Sequence, residues 1–166
     1  RRVLVPVRPG IESPGFTREM QAALLRQLGE LQEMSITLMA VTTAEQRSIT
    51  QRQLGQLKEI FVGDDVATRA VVSDDPVAAI LREAESDYDL MVLGTPNSLA
   101  NRQSLFSEII DDLVKLAPCP TMLVRGVAND EDWRPRRILV PVNGTAAARR
   151  AAELAFAMAD EDVEMT

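Results

Sequence analysis

The sequence predicts an α/β fold, a three-layer open parallel sheet of five strands with helices on both faces. Three observations carry this. Short apolar runs alternate regularly with helix-period patterns, which calls for right-handed crossovers between parallel strands. The runs are nearly continuous in apolar residues, as strands buried on both faces must be. The heptapeptide RRVLVPV at Arg1–Val7 recurs as RRILVPV at Arg136–Val142, so a second unit of the same kind begins near the end of the chain.

The first strand is VLVPV, Val3–Val7. After the turn-rich RPGIESPGF, Met20, Leu24, Leu28 and Leu31 recur at spacings of four, four and three and mark an amphipathic helix. ITLMAV (Ile36–Val41) is the second strand, Leu54, Leu57 and Phe61 mark the second helix, and TRAVV (Thr68–Val72) is the third strand. The third helix has a readable start. Asp75 is placed as N-cap and Pro76 at the first helical position, where its missing N–H costs nothing. Val77, Ile80, Leu81 and Ala84 form its apolar stripe. LMVL (Leu90–Leu93) is the fourth strand, and the loop GTPNSLANRQS leads to a fourth helix expected to bury Phe106, Ile109, Leu113 and Leu116. TMLV (Thr121–Val124) is the fifth strand.

VANDEDWRP (Val127–Pro135) is polar, carries Pro and reads as a linker. The expected organisation is one unit over 1–126, a linker over 127–135, and the first strand and helix of a second, truncated unit over 136–166. The chain starts at Arg rather than Met, the expectation being that it is a piece of something longer. Trp133 in the linker reads as a docking residue between units.

Composition removes several function classes. The net charge of −7 argues against a general nucleic-acid or anionic-membrane surface, which needs Lys and Arg gathered on one face. With no His there is no His-assisted triad and no His-ligated metal. The single Cys119 cannot form an internal disulfide; its setting, APCPTMLV, reads as core, and a reducing, cytoplasmic compartment follows. No run approaches the ~20 apolar residues a membrane span needs, and the expectation is that there is no signal peptide.

In open α/β sheets ligands bind beyond the carboxyl ends of the strands, where strand order reverses. The residues there are Arg8–Gly10, Val41–Thr43, Ser73–Asp75 and Gly94–Glu108. The segments VVSDDPVAAILREAESDYDLMVLG and YDLMVLGT…LAPCPTMLVRG resemble the universal stress protein domain over nearly all of 1–126, and RILVPVNGTAAARRAAELA resembles the opening of a second copy. The resemblance implies spatial strand order 3-2-1-4-5, an adenine-nucleotide α-hydrolase-like fold, and in some members ATP bound through a loop G-x2-G-x9-G-[S/T]. This chain keeps the spacing but not the residues. Gly94 is retained, Asn97 and Ser107 replace the second and third Gly, and Glu108 replaces the Ser/Thr. Arg8 stands where the family has an acidic residue after the first strand, Val41 ends the second strand beside it, and Asn143 takes the position of Arg8 in the second copy.

Those changes weaken a phosphate site. Gly lets backbone N–H groups approach phosphate closely. Asn97 tolerates a left-handed backbone, but Ser107 restricts the approach. Glu108 brings a negative charge to the helix start where phosphates would sit; like unit charges ~4 Å apart at an effective dielectric of ~20 repel by roughly 4 kcal/mol. Several such contacts outweigh the about 8 kcal/mol of a micromolar affinity. A carboxylate in a first turn is instead favoured by the helix dipole, by ~0.3–1 kcal/mol. Two readings of Glu108 stay open: a helix-stabilising residue in a disused pocket, or an ion pair with Arg8 filling it. Asp74–Asp75 read as cap and turn, not metal ligands, Asp111–Asp112 as solvated helix positions, and Thr145 as a cap after the Asn143–Gly144 turn.

The function expected is therefore a binding or regulatory module with ATP weak or absent, rather than an enzyme. A slow ATP hydrolase would need phosphate-binding groups and a held metal, and GxxxxGK[ST] is absent. The tandem layout also resembles the cytosolic tails of cation/proton antiporters and related transporters, implying a fused membrane domain; a free-standing tandem stress protein is the alternative. The family's fifth strand, here Thr121–Val124, implies a homodimer or pairing with the second unit.

Overall fold

The computed structural model describes residues 1–8, 17–31, 33–61, 65–95, 108–126, 134–159 and 164–165. Five strands, β1 (Arg2–Pro6), β2 (Ser35–Thr42), β3 (Val66–Val72), β4 (Leu90–Gly94) and β5 (Thr121–Val124), alternate with helices α1 (Thr17–Leu31), α2 (Arg47–Lys58), α3 (Pro76–Ala84) and α4 (Glu108–Leu116). The sheet runs β3-β2-β1-β4-β5, and every pairing in it is parallel. The first strand in sequence is the central strand in space, and the order reverses between β1 and β4.

Two-residue periodicity sorts the apolar side chains onto the two faces. Val3, Val5, Leu38, Ala40 and Val92 belong to one core cluster, with Leu25 and Leu28 of α1, Leu54 and Leu57 of α2, and Phe61. Leu4, Met39, Met91 and Leu93, their immediate neighbours in sequence, belong to the other, with Ala79, Ile80 and Ala84 of α3 and Ile110 and Leu113 of α4. This is the continuous apolar run of a doubly covered strand, read out one residue at a time.

Asp75 caps α3 as its sequence requires: its carboxylate accepts from the Ala78 N–H at 3.0 Å, with Pro76 opening the helix. The stripe of α4 differs from the expectation. Ile110 and Leu113 are buried, whereas Ile109 is 38% and Leu116 62% exposed. Adjacent isoleucines give two overlapping helical stripes, and the sheet, with Ala117 following at the helix end, selects the one through Ile110 and Leu113. Phe106 lies outside the described residues.

A second, two-stranded parallel sheet follows. β6 (Arg137–Ile138) pairs with β7 (Glu164–Met165), and α5 (Ala146–Met158) connects them. Thr145 caps α5, its hydroxyl accepting from the Ala148 N–H at 3.2 Å, and Asn143 Oδ1 accepts from both the Thr145 N–H and hydroxyl. β6 is shorter than the strand the repeat predicts, ending before Leu139, while β7 was not foreseen. α5 packs on α1, with Leu154 and Met158 against the first core cluster. Burial on this side leaves Met20, Ala22, Ala23, Leu25 and Leu28 of α1 all buried.

Candidate functional site

The carboxyl ends of the strands meet along one rim. Arg8 lies just past β1 and is exposed. Val41 is half-buried at the end of β2 and packs against the α3/α4 cluster. Gly94 ends β4, opposite Val124 of β5. Glu108 is the first residue of α4 and is exposed. Asn97 and Ser107, with the loop between them, lie outside the described residues. Arg8 and Gly94 thus stand at the ends of the two strands between which the order reverses, the place where such sheets take ligands; Val41 stands on the other side of β1.

Arg8 and Glu108 form no ion pair with each other; the pairing that would have filled the pocket is not made. The ion pair among the described residues is elsewhere, between Arg69 Nη1 of β3 and Glu83 Oε1 of α3 at 2.7 Å. Asp75 is committed to its cap, with its N–H given to Ser73 Oγ at 3.1 Å. Among the described residues no three His, Cys, Asp or Glu side chains gather closely enough to hold a metal ion.

Three buried polar side chains that sequence reasoning did not single out shape this rim. Thr95, directly after Gly94, is buried, donates its backbone N–H to the Val124 carbonyl at 2.9 Å and reaches the same oxygen with its hydroxyl at 3.4 Å. Thr42 and Thr50 hydrogen-bond through their hydroxyls at 2.9 Å and tie the end of β2 to α2. Threonine immediately after an apolar run was the available signal, since a buried hydroxyl must find a partner. On the rim's far side, Gly126 follows β5 at φ +146°, and a Cβ there would come within 3.2 Å of Met20 Cε.

At the amino ends a polar cluster holds the sheet. Glu83 is buried and accepts from Arg69 and from the Tyr88 hydroxyl at 3.0 Å. Burial pushes the Tyr88 phenol above its ordinary 10.0, reinforced by Glu83 and opposed by a hydrogen bond with Thr37 and by the Arg2 charge. The Arg2 guanidinium stacks 4.8 Å from the centre of the Tyr88 ring. Cys119 is half-buried against the α3/α4 cluster, and burial pushes its thiol up, away from the reactive thiolate. Among the described residues no helix is long and apolar enough to cross a membrane.

Residues 12–125 match the sequence profile of the universal stress protein family. No curated sequence matches the chain. Among solved structures, the chain is similar to a universal stress protein from Archaeoglobus fulgidus at TM-score 0.58 and 15% identity, over 75% of this chain and 93% of that one. A universal stress protein from Archaeoglobus fulgidus in complex with dAMP matches at TM-score 0.58 and 16% identity, over 75% of this chain and 97% of that one. A universal stress protein in complex with cAMP matches at TM-score 0.51 and 19% identity, over 75% and 95%. At these identities the likeness is one of fold.

Proposed function

The chain belongs to the universal stress protein family, and from that premise we propose that it is a binding and regulatory module, the first of a tandem pair, whose nucleotide pocket has lost most of its affinity for ATP. The observation that carries this reading is Glu108. It is the first residue of α4, at the switch-point rim, and by the resemblance's loop spacing it falls where the family's nucleotide-binding loop has Ser or Thr. A first-turn carboxylate satisfies the helix dipole that would otherwise attract phosphate. Arg8, at the neighbouring strand end, replaces an acidic residue and is not paired with Glu108. Relatives of this fold have been seen with dAMP and cAMP, so an adenine nucleotide is the ligand whose absence or weakness is the thing to measure.

Titration calorimetry with Mg·ATP, ADP and AMP tests the reading. The expected result is no heat and no thermal shift at millimolar ATP, with binding raised by the combined change Ser107→Gly and Glu108→Ser. Micromolar binding by the unaltered chain overturns it and makes a nucleotide-sensing tandem stress protein, the second reading, the better one; turnover that vanishes on altering Gly94 would extend that reading to slow hydrolysis. A cytoplasmic module fused to a membrane transporter is proposed on the resemblance of the tandem opening RILVPVNGT to transporter tails. Apolar spans of ~20 residues upstream in the full-length protein are its test. Homodimerisation or pairing with the second unit is proposed through the edge strand β5.

A further inference from the structure

The turn between β6 and α5 carries a chemistry that neither the fold nor the rim uses. Of the chain's four asparagines, Asn97, Asn101, Asn129 and Asn143, only the last is followed by glycine. Asparagine is among the thermolabile residues, because the backbone nitrogen of the next residue can attack its side-chain carbonyl carbon. Glycine, with no Cβ, hinders that nitrogen least. Asn143, Gly144 and Thr145 are all exposed. Gly144 stands at φ +79°, with nothing within 4 Å of where a Cβ would lie.

To this dipeptide the structure adds a pair of donors. The Thr145 N–H at 3.2 Å and the Thr145 hydroxyl at 2.7 Å both donate to Asn143 Oδ1. Two donors on one atom fix it as the oxygen. Nδ2 is then the other arm of the amide, without a hydrogen-bond partner among the described residues. The Thr145 hydroxyl itself accepts from the Ala148 N–H at 3.2 Å. A hydroxyl that accepts is a stronger donor, and the first N–H groups of α5 place positive potential behind both bonds. When a nitrogen adds to the Asn143 side-chain carbonyl carbon, negative charge develops on Oδ1. Donors already aimed at that oxygen lower the barrier as an oxyanion hole does.

We propose that Asn143–Gly144 is a self-modifying site, converting to aspartate and isoaspartate in the folded chain. The Gly144 backbone nitrogen attacks Asn143 Cγ and gives its proton to solvent base. The N–Cγ bond forms, the Cγ–Nδ2 bond breaks, and ammonia leaves with a proton taken from water. Water then opens the cyclic imide. Addition at Cγ gives aspartate, and addition at the Asn143 backbone carbonyl carbon gives isoaspartate, with the chain running through Cβ. Water is consumed, ammonia is released, and nothing is oxidised or reduced. Either product carries a new carboxylate just before α5, where the helix dipole favours it. Aspartate keeps an acceptor for the two Thr145 donors. Isoaspartate adds a methylene to the backbone between β6 and the cap, and so changes the span from that strand to a helix already seated on α1.

Peptide mapping of the intact chain, held at neutral pH in heavy-oxygen water, tests this. The expected result is that Asn143 converts before Asn97, Asn101 and Asn129, with heavy oxygen taken up at residue 143. Conversion should also be faster in the folded chain than in the same chain in guanidinium chloride. Thr145→Ser should keep the rate. Thr145→Asp retains the cap acceptor but brings no hydroxyl proton to Asn143 Oδ1. It should slow conversion by about tenfold, less than the ~10²–10³ of one donor in a closed active site, because this turn is open to water. Gly144→Ala should suppress conversion. Slower conversion in the folded chain than in the unfolded one overturns the proposal, since the two bonds then restrain the amide rather than activate it. A Thr145→Asp rate equal to that of the unaltered chain also overturns it, as does another asparagine converting first.

Discussion

The two leucines at equivalent places in the repeat give a controlled comparison. Leu4→Ala and Leu139→Ala are the same chemical change in the same local sequence, LVPV. Leu4 is 0% exposed, walled by β2, β4, α3 and α4, so truncation removes its transfer energy and leaves a cavity the surrounding helices can only partly close. That costs about 3–5 kcal/mol. Leu139 at 76% exposure loses contact mainly with water, and its change should stay within about 0.5 kcal/mol. Urea unfolding followed by far-ultraviolet circular dichroism resolves the two. With a slope of about 2 kcal/mol per molar, a loss of about 4 kcal/mol moves the midpoint by about 2 M, a large part of a typical domain's stability. Midpoint shifts of equal size would refute the assignment of one leucine to the core and the other to an open edge. So would a Leu139→Ala loss above about 1 kcal/mol.

Two further outcomes are expected. Asp75→Ala should cost about 1 kcal/mol by leaving the Ala78 N–H without its cap, and Asp75→Asn should recover most of it, as urea midpoints will show. Tyr88 is the chain's single tyrosine, so tyrosinate absorbance reports it alone. Its folded pKa lies above 10.0, chiefly through burial, so the neutral phenol's contribution to stability is whole below pH 10.0 and is lost as the pH climbs through the folded value. Ionisation at or below 10.0 in the native protein would refute this, and Tyr88→Phe should remove that part of the alkaline loss.

The strands and the caps were legible because they are local. Continuous apolar runs announced burial on both faces, and Asp75–Pro76 announced a helix start whatever lay around it. What was not legible depends on neighbours distant in sequence. Ile109 and Ile110 offer α4 two stripes, and the position of the sheet decides between them. Thr95 follows an apolar run, which signals a buried hydroxyl in need of a partner, but nothing local says that the partner is a carbonyl of β5. The length of β6 was over-read for a related reason. An apolar run becomes a strand only where a partner strand lies beside it, and among the described residues RRILVPV has one partner where RRVLVPV has two. For the site, Gly94 and Glu108 were placed at the rim by element order, and Asn97 and Ser107 lie outside the described residues. Of the two readings of Glu108, the ion pair with Arg8 is not formed, because proximity of two loops does not fix the direction of two side chains.

The central position of β1 bears on how the protein is made. Among the five strands of the sheet, β1, which must be paired on both sides, leaves the ribosome before any of its partners. Its partner on one side, β2, follows about thirty residues later, while its partner on the other, β4, begins at Leu90. Synthesis at about 5–20 residues per second therefore leaves one edge of β1 without its neighbour for seconds. During that interval the half-sheet β1–β2–β3 presents Leu4 and Met39 to solvent on the side that α3 and α4 will later cover. Folding rate and aggregation during translation should accordingly respond most to changes in the Ser86–Gly94 segment, whose arrival closes the sheet.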